Sequence, residues 1–356
     1  MGLQTFGSQN TGGTQAARIG KMKAAIIVHA MYAEVLVTAC LQQDMPKNSS
    51  DTAVFRSWVP YGATASAPNV FSGVTAAAHV IQEGVTPAAD TLVSRDITVV
   101  LYQYGALYGL TDKDEDLYED DMPGAMDQAV GERMGLVREL VIYGVMKAAT
   151  ARFYGGGSTV TTRVAINNTI TDNICANIAR FLRAQHGKMI TERLGPTNDY
   201  ATTTVEPAFV CYCHTDLEFD IRRLTGFKHK SEYANFKPIS EYELGSAGQF
   251  RFVMSPELMP YAQAGAAQGT TGMYTSGTVT SGAIDVYPMM FLAQKAVGAM
   301  KLRGEGSFKA TKLLPSDIDK NDPLGQRGYI GTKFYMGAAI LNPGWIVVAE
   351  VGITAL

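Results

Sequence analysis

Charged residues and cysteines are both scarce in this sequence. Asp, Glu, Lys and Arg make up 18% of the 356 residues, against roughly 25% in an ordinary soluble domain. The net charge is only −3, so no overall positive field attracts nucleic acid. Four cysteines without repeated spacing exclude a disulfide framework in a chain of this length and favour synthesis in a reducing compartment. A surface so poor in charge favours coverage by further copies of the same chain.

Long apolar runs are also missing. The most apolar stretch, residues 24–41, contains His29 and Glu34 and falls short of the roughly 20 apolar residues that cross a membrane. It follows the polar, glycine-rich residues 1–20, which argues against a secretory signal. We predict a flexible arm over residues 1–20 and a helix over residues 24–41 that packs on the core.

Lysine is absent from residues 48–112, and residues 51–111 carry only six charged side chains. This stretch is dense in Ala, Val, Thr and Gly, and Pro60, Pro68 and Pro87 interrupt it. The composition predicts extended strands joined by a long excursion. Because few of its groups can be solvated, the excursion is expected to lie on another surface.

An acidic run leads into the strongest helical pattern of the chain. The pattern runs from Pro123 to Phe153 and predicts a helix of about 30 residues and roughly 45 Å, longer than the core of a compact domain needs. Asp120 or Asp121 is placed to cap it, and glycines 155–157 end it. Its apolar stripe consists of Met126, Val130, Met134, Val137, Val141, Val145 and Ala148. We therefore predict a structural spine over about residues 122–153.

The rest of the chain has a mixed α and β pattern. A capped helix is predicted over residues 171–185, and Thr215 or Asp216 is predicted to cap a second one that runs through Arg223. Asn342-Pro343-Gly344 between two apolar runs predicts a hairpin. Strands are predicted within residues 206–214, 250–254, 284–302 and 334–356, with a mobile loop over residues 261–284.

Two motifs suggest metal sites and fail on spacing. Cys211, Cys213 and His214 lack the second ligand pair of a zinc site, and both cysteines share one face of a strand, so we predict buried thiols. The acidic pattern that starts at Asp112 has Leu117 in place of the glycine of a calcium loop and Pro123 in place of its glutamate. Weak cation binding there stays open as an alternative.

Other catalytic and nucleotide motifs are missing as well. Residues 155–158 lack the lysine of a phosphate-binding loop, and no Gly-x-Ser-x-Gly motif occurs. Five residues form the one basic cluster: Arg222, Arg223, Lys228, His229 and Lys230. Nucleic-acid contact, a solvated helix end and a partner for the acidic run all stay open for this cluster. We predict no enzyme activity and no cofactor.

The order of these parts resembles the major capsid proteins of tailed bacteriophages, in a podovirus-like branch of the Hong Kong 97-type fold. The resemblance extends over most of residues 24–356. It starts with Glu83-Gly84 before Pro87, a strand over residues 97–101 and an aromatic segment over residues 102–104. The later part of the sequence is more similar to that family. The similar segments are residues 220–223, 226–227, 245, 251–253, 285–288, 322–328 and 341–345.

The resemblance implies an α+β capsid subunit whose arm and extended loop reach over neighbouring copies. It places the N-terminal arm and helix at residues 1–50 and the extended loop at residues 51–96. The peripheral domain with the spine helix takes residues 97–165, and the axial domain takes residues 166–310. Residues 311–356 are implied to be strands that return to the peripheral domain.

The implied function is structural, and the implied location is the virion after synthesis in the host cytoplasm. The chain would assemble with itself into hexamers and pentamers of an icosahedral shell. Further implied partners are a portal, a separate scaffolding protein, a decoration protein and double-stranded DNA on the inner face, without a membrane. An encapsulin-type nanocompartment shell is the alternative in the same fold. An enzyme of another class would be a thiol hydrolase using Cys211 or Cys213 with His214.

Candidate contacts between subunits follow from charge and exposure. The short arm leaves no room for an internal scaffolding segment, and the lysine-free loop offers no amine for the isopeptide bond by which some members of this fold join their subunits. Contacts are therefore expected to be non-covalent. The candidates are Phe71 in the loop, Asp112, Asp114, Asp116, Glu119 and Asp120 in the acidic run, and Arg222, Arg223, Lys228 and Lys230 in the basic cluster.

Overall fold

The structure is a computed structural model, and its elements form two large sheets, a two-stranded ribbon and four helices. It describes residues 34–48, 50–71, 74–81, 83–84, 86, 89–117, 121–156, 159–190, 207–233, 238–268, 272–277, 282–303, 308–315 and 322–356. The helices are α1 Asp112–Leu117, α2 Met122–Lys147, α3 Asp172–Ala184 and α4 Glu218–Arg222. The first seven strands in chain order are β1 Leu41–Met45, β2 Thr52–Trp58, β3 Ser94–Val100, β4 Tyr102–Thr111, β5 Arg152–Tyr154, β6 Phe209–Cys213 and β7 Lys228–His229. The later ones are β8 Glu243–Ala247, β9 Phe250–Met254, β10 Tyr287–Leu292, β11 Val297–Leu302, β12 Phe308–Leu313, β13 Arg327–Ile340 and β14 Ile346–Val351.

A seven-stranded sheet forms the buried centre, in the order β5-β14-β10-β6-β9-β8-β7. Every residue of β6, β9, β10 and β14 is buried. Alternate side chains of these strands enter two separate apolar clusters, one on each face, because successive side chains of a strand point to opposite faces. Helix α2 packs on one face, and α3 and α4 pack on the other. Strands covered on both faces read as continuous apolar runs, which is why the sequence predicted this region well.

A five-stranded sheet is built around the long strand β13. One side of β13 pairs with β12 and β11, the other side pairs with β4, and β1 joins β11 at the edge. Leu110 and Ile330 from this sheet pack against Met126 and Val130 of α2. The amino-terminal half of α2 therefore covers the five-stranded sheet.

The spine helix exists, but it is shorter than predicted. Helix α2 begins at Met122, with Asp121 as its N-cap, and ends at Lys147 rather than near Phe153. The chain then enters β5, which pairs in parallel with β14. This strand pairing competes with the helix, which ends five residues before Arg152. Twenty-six residues correspond to roughly 39 Å of helix.

The predicted apolar stripe of α2 is right in its first half and wrong in its second. Met126, Val130 and Met134 are buried, whereas Val137 is half-buried and Ala148 is exposed. The second buried set consists of Glu139, Ile142, Tyr143 and Met146. The stripe shifts around the helix because the second half of α2 joins a cluster that also contains residues of the seven-stranded sheet, whereas the first half packs only on the five-stranded one.

The predicted helix over residues 24–41 is not found in its described part. Residues 24–33 lie outside the described residues. Val37–Ala39 form one turn of 3-10 helix, and Leu41 already begins β1. Pairing of β1 with β11 outweighs the helical pattern here.

The predicted hairpin at residues 342–344 is also wrong, although its turn is present. The amide of Trp345 donates to the carbonyl of Asn342 at 3.1 Å, as the proline and glycine positions predicted. The flanking strands β13 and β14, however, lie in different sheets. The turn therefore carries the chain from one sheet to the other.

Other predicted elements fare better. Helix α3 and strands β6 and β9 are confirmed nearly residue for residue. The helix predicted to start at Thr215 or Asp216 begins instead as a 3-10 turn that His214 caps, and continues as α4. The domain boundaries at residues 50, 96, 165 and 310 stay a prediction, as does the mobility of residues 261–284.

Candidate assembly surfaces

Residues 51–96, here called the extended loop, expose large apolar side chains. Strands β2 and β3 pair antiparallel along their whole length and form the two-stranded ribbon at its base. Beyond the ribbon, Val80 is 73% exposed, Ile81 71% and Leu92 70%. Further exposed apolar side chains are Val54, Trp58, Tyr61, Val70, Phe71, Val74 and Val93. A set of exposed apolar residues this dense marks an interaction surface.

The middle of the extended loop is fastened to its own subunit. The side-chain amides of Asn69 and Asn342 donate to each other's oxygens at 2.6 and 2.8 Å. Gly344 leaves room for this pair, since a Cβ there would lie 2.6 Å from the Asn69 amide nitrogen. Phe71 packs edge-to-face on His186 with ring centroids 4.8 Å apart, yet it stays 47% exposed. Its predicted burial on a neighbouring copy stays a prediction for that exposed half.

The acidic run divides into residues with different tasks. Asp114 is buried and accepts a hydrogen bond from the Thr111 hydroxyl at 2.9 Å, so it stabilises the start of α1. Asp121 accepts from the amide of Gly124 at 3.0 Å and caps α2. Asp116 is exposed. Of the predicted contact residues, Asp112 and Asp116 remain accessible, Asp114 does not, and Glu119 and Asp120 lie outside the described residues.

The basic cluster is largely engaged within its own chain. Arg222 forms an ion pair with Glu218 one helical turn earlier, and the Arg223 guanidinium lies 5.1 Å from the centroid of the Phe219 ring. Lys230 donates to the carbonyl oxygen of Glu241 at 2.8 Å. Lys228 is exposed in β7 at the edge of the seven-stranded sheet. The acidic run follows β4 of the other sheet, so the two predicted contact groups belong to different sheets of one subunit.

A buried ionic cluster lies where the end of α2 meets the β5 edge of the seven-stranded sheet. Glu350 of β14 is fully buried and accepts hydrogen bonds from Arg152 and, at 2.7 Å, from Arg163. The Arg163 guanidinium lies 3.5 Å from the Tyr261 ring centroid, and the Lys147 ammonium lies 4.3 Å from it. The hydrogen bond to Glu350 raises the pKa of Arg163, and burial lowers the pKa of Lys147, with the charge of Arg163 adding to that effect.

A second buried carboxylate ties the residues before β1 to the spine helix. Glu139 of α2 accepts hydrogen bonds from the amides of Val35 and Leu36 at 3.0 and 2.9 Å. Burial raises the pKa of Glu139, although these hydrogen bonds oppose the shift. The carboxylate accepts from both amides, so it sets where the residues before β1 cross α2.

The thiols are buried, as predicted. Cys211 and Cys213 are fully buried in the apolar cluster under α3, and burial raises the pKa of Cys211 well above its ordinary value. The pKa of Cys175 is raised to about 12, also by burial. Because the thiolate is the nucleophile, this environment opposes a thiol hydrolase. His214 instead accepts a hydrogen bond from the amide of Asp216 at 3.1 Å.

Two searches of the described residues complete the site analysis. Within them, no group of three or more His, Cys, Asp or Glu residues is placed to hold a metal ion. Among the same residues, no helix combines the length and apolarity needed to cross a membrane.

The buried carboxylates were not found from the sequence. Glu350 carried a usable signal, because it is the only charged residue in the apolar stretch 345–353. Glu139 carried none, since a glutamate in an amphipathic helix is normally read as solvent-facing. Its partners are backbone amides about a hundred residues away in the chain, which no local pattern reveals.

Comparison with known proteins finds similarity to phage capsid proteins. No protein-family model matches the chain. It is 23% identical over 271 residues to the major capsid protein of Pseudomonas phage KPP21, covering 70% of this chain and 66%, just under two thirds, of that protein. Among solved structures, the capsid of Ralstonia phage GP4 matches with a TM-score of 0.62 at 11% identity, covering 99% of this chain and 98% of that one. The capsid of cyanophage Pam1 matches with a TM-score of 0.60 at 14% identity, covering 96% and 99%.

The two structural likenesses cover 96% and 99% of the chain. They confirm the resemblance derived from the sequence: the chain has the Hong Kong 97-type α+β fold of bacteriophage major capsid proteins.

Proposed function

We propose that the chain is a structural major capsid protein that self-assembles into the icosahedral shell around a phage genome. The observation that carries the proposal is the match to phage capsid chains over almost the full length of both partners. The named relative, a phage major capsid protein, favours a phage shell over an encapsulin-type nanocompartment. The chain then acts by its contacts with other copies and not by catalysis.

The extended loop supports this proposal physically. Side chains such as Val80, Ile81 and Leu92 are more than two-thirds exposed, and burying apolar area stabilises an interface by roughly 25 cal/mol per Å². The ribbon at the base of the loop is stiffened by paired strands and by the Arg56–Asp96 ion pair. A stiff, apolar projection is suited to lie across a neighbouring copy.

The contacts within the body of the subunit also support the proposal. Helix α2 contacts both sheets. Glu139 joins the helix to the residues before β1, and Glu350 joins β14 to Arg152 and Arg163 beyond the end of the helix. The proposal requires that the same body, held together by these contacts, occupies both pentamers and hexamers.

The finer partners belong to the proposal as well. They are a portal, a separate scaffolding protein, a decoration protein and double-stranded DNA that contacts the inner face without sequence specificity. The chain is then located in the virion, after synthesis in the host cytoplasm.

Electron microscopy of the purified full chain, expressed alone and with the neighbouring head genes, tests the proposal. Closed shells or rings of five and six copies are the expected particles. A monodisperse 38.3 kDa monomer at all concentrations and salt levels would contradict it. Portal and terminase genes beside this gene support a phage shell, whereas a bacterial cargo gene supports a nanocompartment.

A further inference from the structure

One end of the five-stranded sheet has an exposed face with an unusual charge pattern. On the face opposite α2, the ribbon covers the end of the sheet near Ala339 through Phe55 and Val99. At the other end, Lys309 of β12 lies directly opposite Lys333 of β13, and Gly105 of β4 is the next cross-strand neighbour. Both lysines are exposed. Like charges directly opposite each other destabilise a sheet.

The two lysines lack counter-charges in the part of the chain that the structure describes. Neither forms an ion pair there, whereas Lys312 on the α2 side of the same strand pairs with Asp127 at 3.2 Å. We call this face the lysine face. Its side chains include no acid: Gln103, Leu107, Lys309, Thr311, Leu313, Tyr329, Lys333 and Tyr335. Leu107 is 45% exposed, so the face offers apolar area as well as positive charge.

A complementary surface exists on the same chain. Helix α1 presents Glu115 and Asp116 to solvent, next to Leu117, which is 59% exposed. No ion pair holds either carboxylate among the described residues. The sequence-predicted partners of this acidic turn, Arg222 and Arg223, are already engaged by their own chain.

We propose that the lysine face of one copy receives the α1 acidic turn of the next copy. The proposal rests on the proposed self-assembly and names a contact that drives it. Lys309 and Lys333 meet Glu115 and Asp116, while Leu117 packs against Leu107. The two surfaces differ, so the contact is head-to-tail, and contacts of that kind form rings when the rotation between copies closes.

Charge reversal tests the contact in the full chain. The K309E/K333E variant is expected to lower the fraction of chain in rings or shells by about tenfold or more, because juxtaposed like charges strongly oppose association. Adding E115K/D116K to the same chain restores assembly. The matched control is K188E/K295E, which changes the charge equally at two exposed lysines outside the strands of this sheet, and it assembles like the wild type. Circular dichroism and thermal unfolding confirm that each variant is folded.

A mixture of two variants gives a sharper readout. Chains with K309E/K333E and chains with E115K/D116K each fail alone but complement each other when mixed. Their contacts alternate around a ring, and only an even number of copies can alternate. The mixture is therefore expected to form six-membered rings without five-membered ones, and hence no closed shells.

Each other outcome overturns the inference in a distinct way. Normal assembly of K309E/K333E refutes the contact and leaves the proposed function intact. Normal particles of this variant that have lost nucleic acid, seen as a lower 260/280 nm absorbance ratio, assign the lysine face to a polyanion instead. Lost assembly that E115K/D116K does not restore refutes α1 as the occupant. A wild-type chain that never assembles refutes the proposed function itself.

Discussion

The seven-stranded sheet buries its apolar side chains, whereas the extended loop leaves many of its own exposed. In the sheet, β6, β9, β10 and β14 bury every residue. In the loop, side chains of the same kinds, such as Val80, Ile81 and Leu92, are largely exposed. Both regions are apolar in sequence, so hydropathy alone does not distinguish them. The sheet completes its burial within one chain, whereas the loop keeps its apolar side chains exposed, and we propose that another copy buries them.

The largest loss of folding stability is expected when a charged residue is placed in the apolar core. Ile142 is fully buried between α2 and the sheet, so Ile142→Asp places an unpaired carboxylate in an apolar cluster at a cost of about 4 kcal/mol or more. We expect insoluble or unfolded protein. Val137→Asp, at a half-buried position of the same helix, is the control, with a cost of about 1 kcal/mol. Equal losses of soluble yield and unfolding free energy would refute the shifted stripe.

The extended loop should show the reverse behaviour. Val80→Asp with Ile81→Asp is expected to abolish shell formation in sedimentation and electron microscopy, because two carboxylates must then enter an apolar contact. The free energy of unfolding of the subunit should change by less than about 0.5 kcal/mol, as for other exposed sites. Asn173→Asp with Asn177→Asp adds the same charge on exposed α3 positions and is expected to assemble. Loss of subunit stability in the loop variant would place these residues in the core instead.

The contribution of the buried Glu139 to folding stability should depend on pH. Burial raises its pKa in the folded chain above the ordinary value of 4.5, so the stability that it contributes is fully present below that value and is lost as pH rises through the folded pKa. Glu139→Gln keeps an oxygen that accepts the amides of Val35 and Leu36. The unfolding free energy of the wild type minus that of the variant should therefore fall as pH rises from 4.5 towards 7. Glu115→Gln, at an exposed site, should leave that difference flat.

The ion pair of the ribbon should matter little to the isolated subunit. The Arg56 and Asp96 side chains are 60% and 41% exposed, and the pair is bidentate at 2.7 and 2.8 Å. Solvent screens such a pair, although hydrogen bonding to Asp96 raises the pKa of Arg56. Arg56→Ala is expected to leave the thermal midpoint of the subunit unchanged. A clear drop would show that the ribbon belongs to the cooperative core.

No covalent link between copies is expected from the loop. Residues 48–112 contain no lysine, and arginine cannot act as the attacking amine because its guanidinium stays protonated. Particles boiled in detergent and reductant should run as one band near 38.3 kDa. A ladder of higher bands would contradict the non-covalent scheme.

Sequence patterns succeeded where burial is complete within one element and its neighbours. The continuous apolar runs of β6 and β9 and the periodic residues of α3 each identified their element. They failed where long-range pairing competes with a local preference. Phe153 reads as helical but pairs with Ala349 of β14, and residues 342–345 read as a hairpin but connect two sheets.

The sequence by itself determined the charge-poor loop without lysine and the buried strands, because composition and periodicity are local properties, and its resemblance to phage capsid proteins implied the order of parts. Only the tertiary structure decided the shift of the buried stripe on α2, the contacts of Glu139 and Glu350 and the opposition of Lys309 to Lys333. Each of these depends on which distant strand or segment lies alongside. That choice is set by the packing of the whole chain, which a local pattern does not encode.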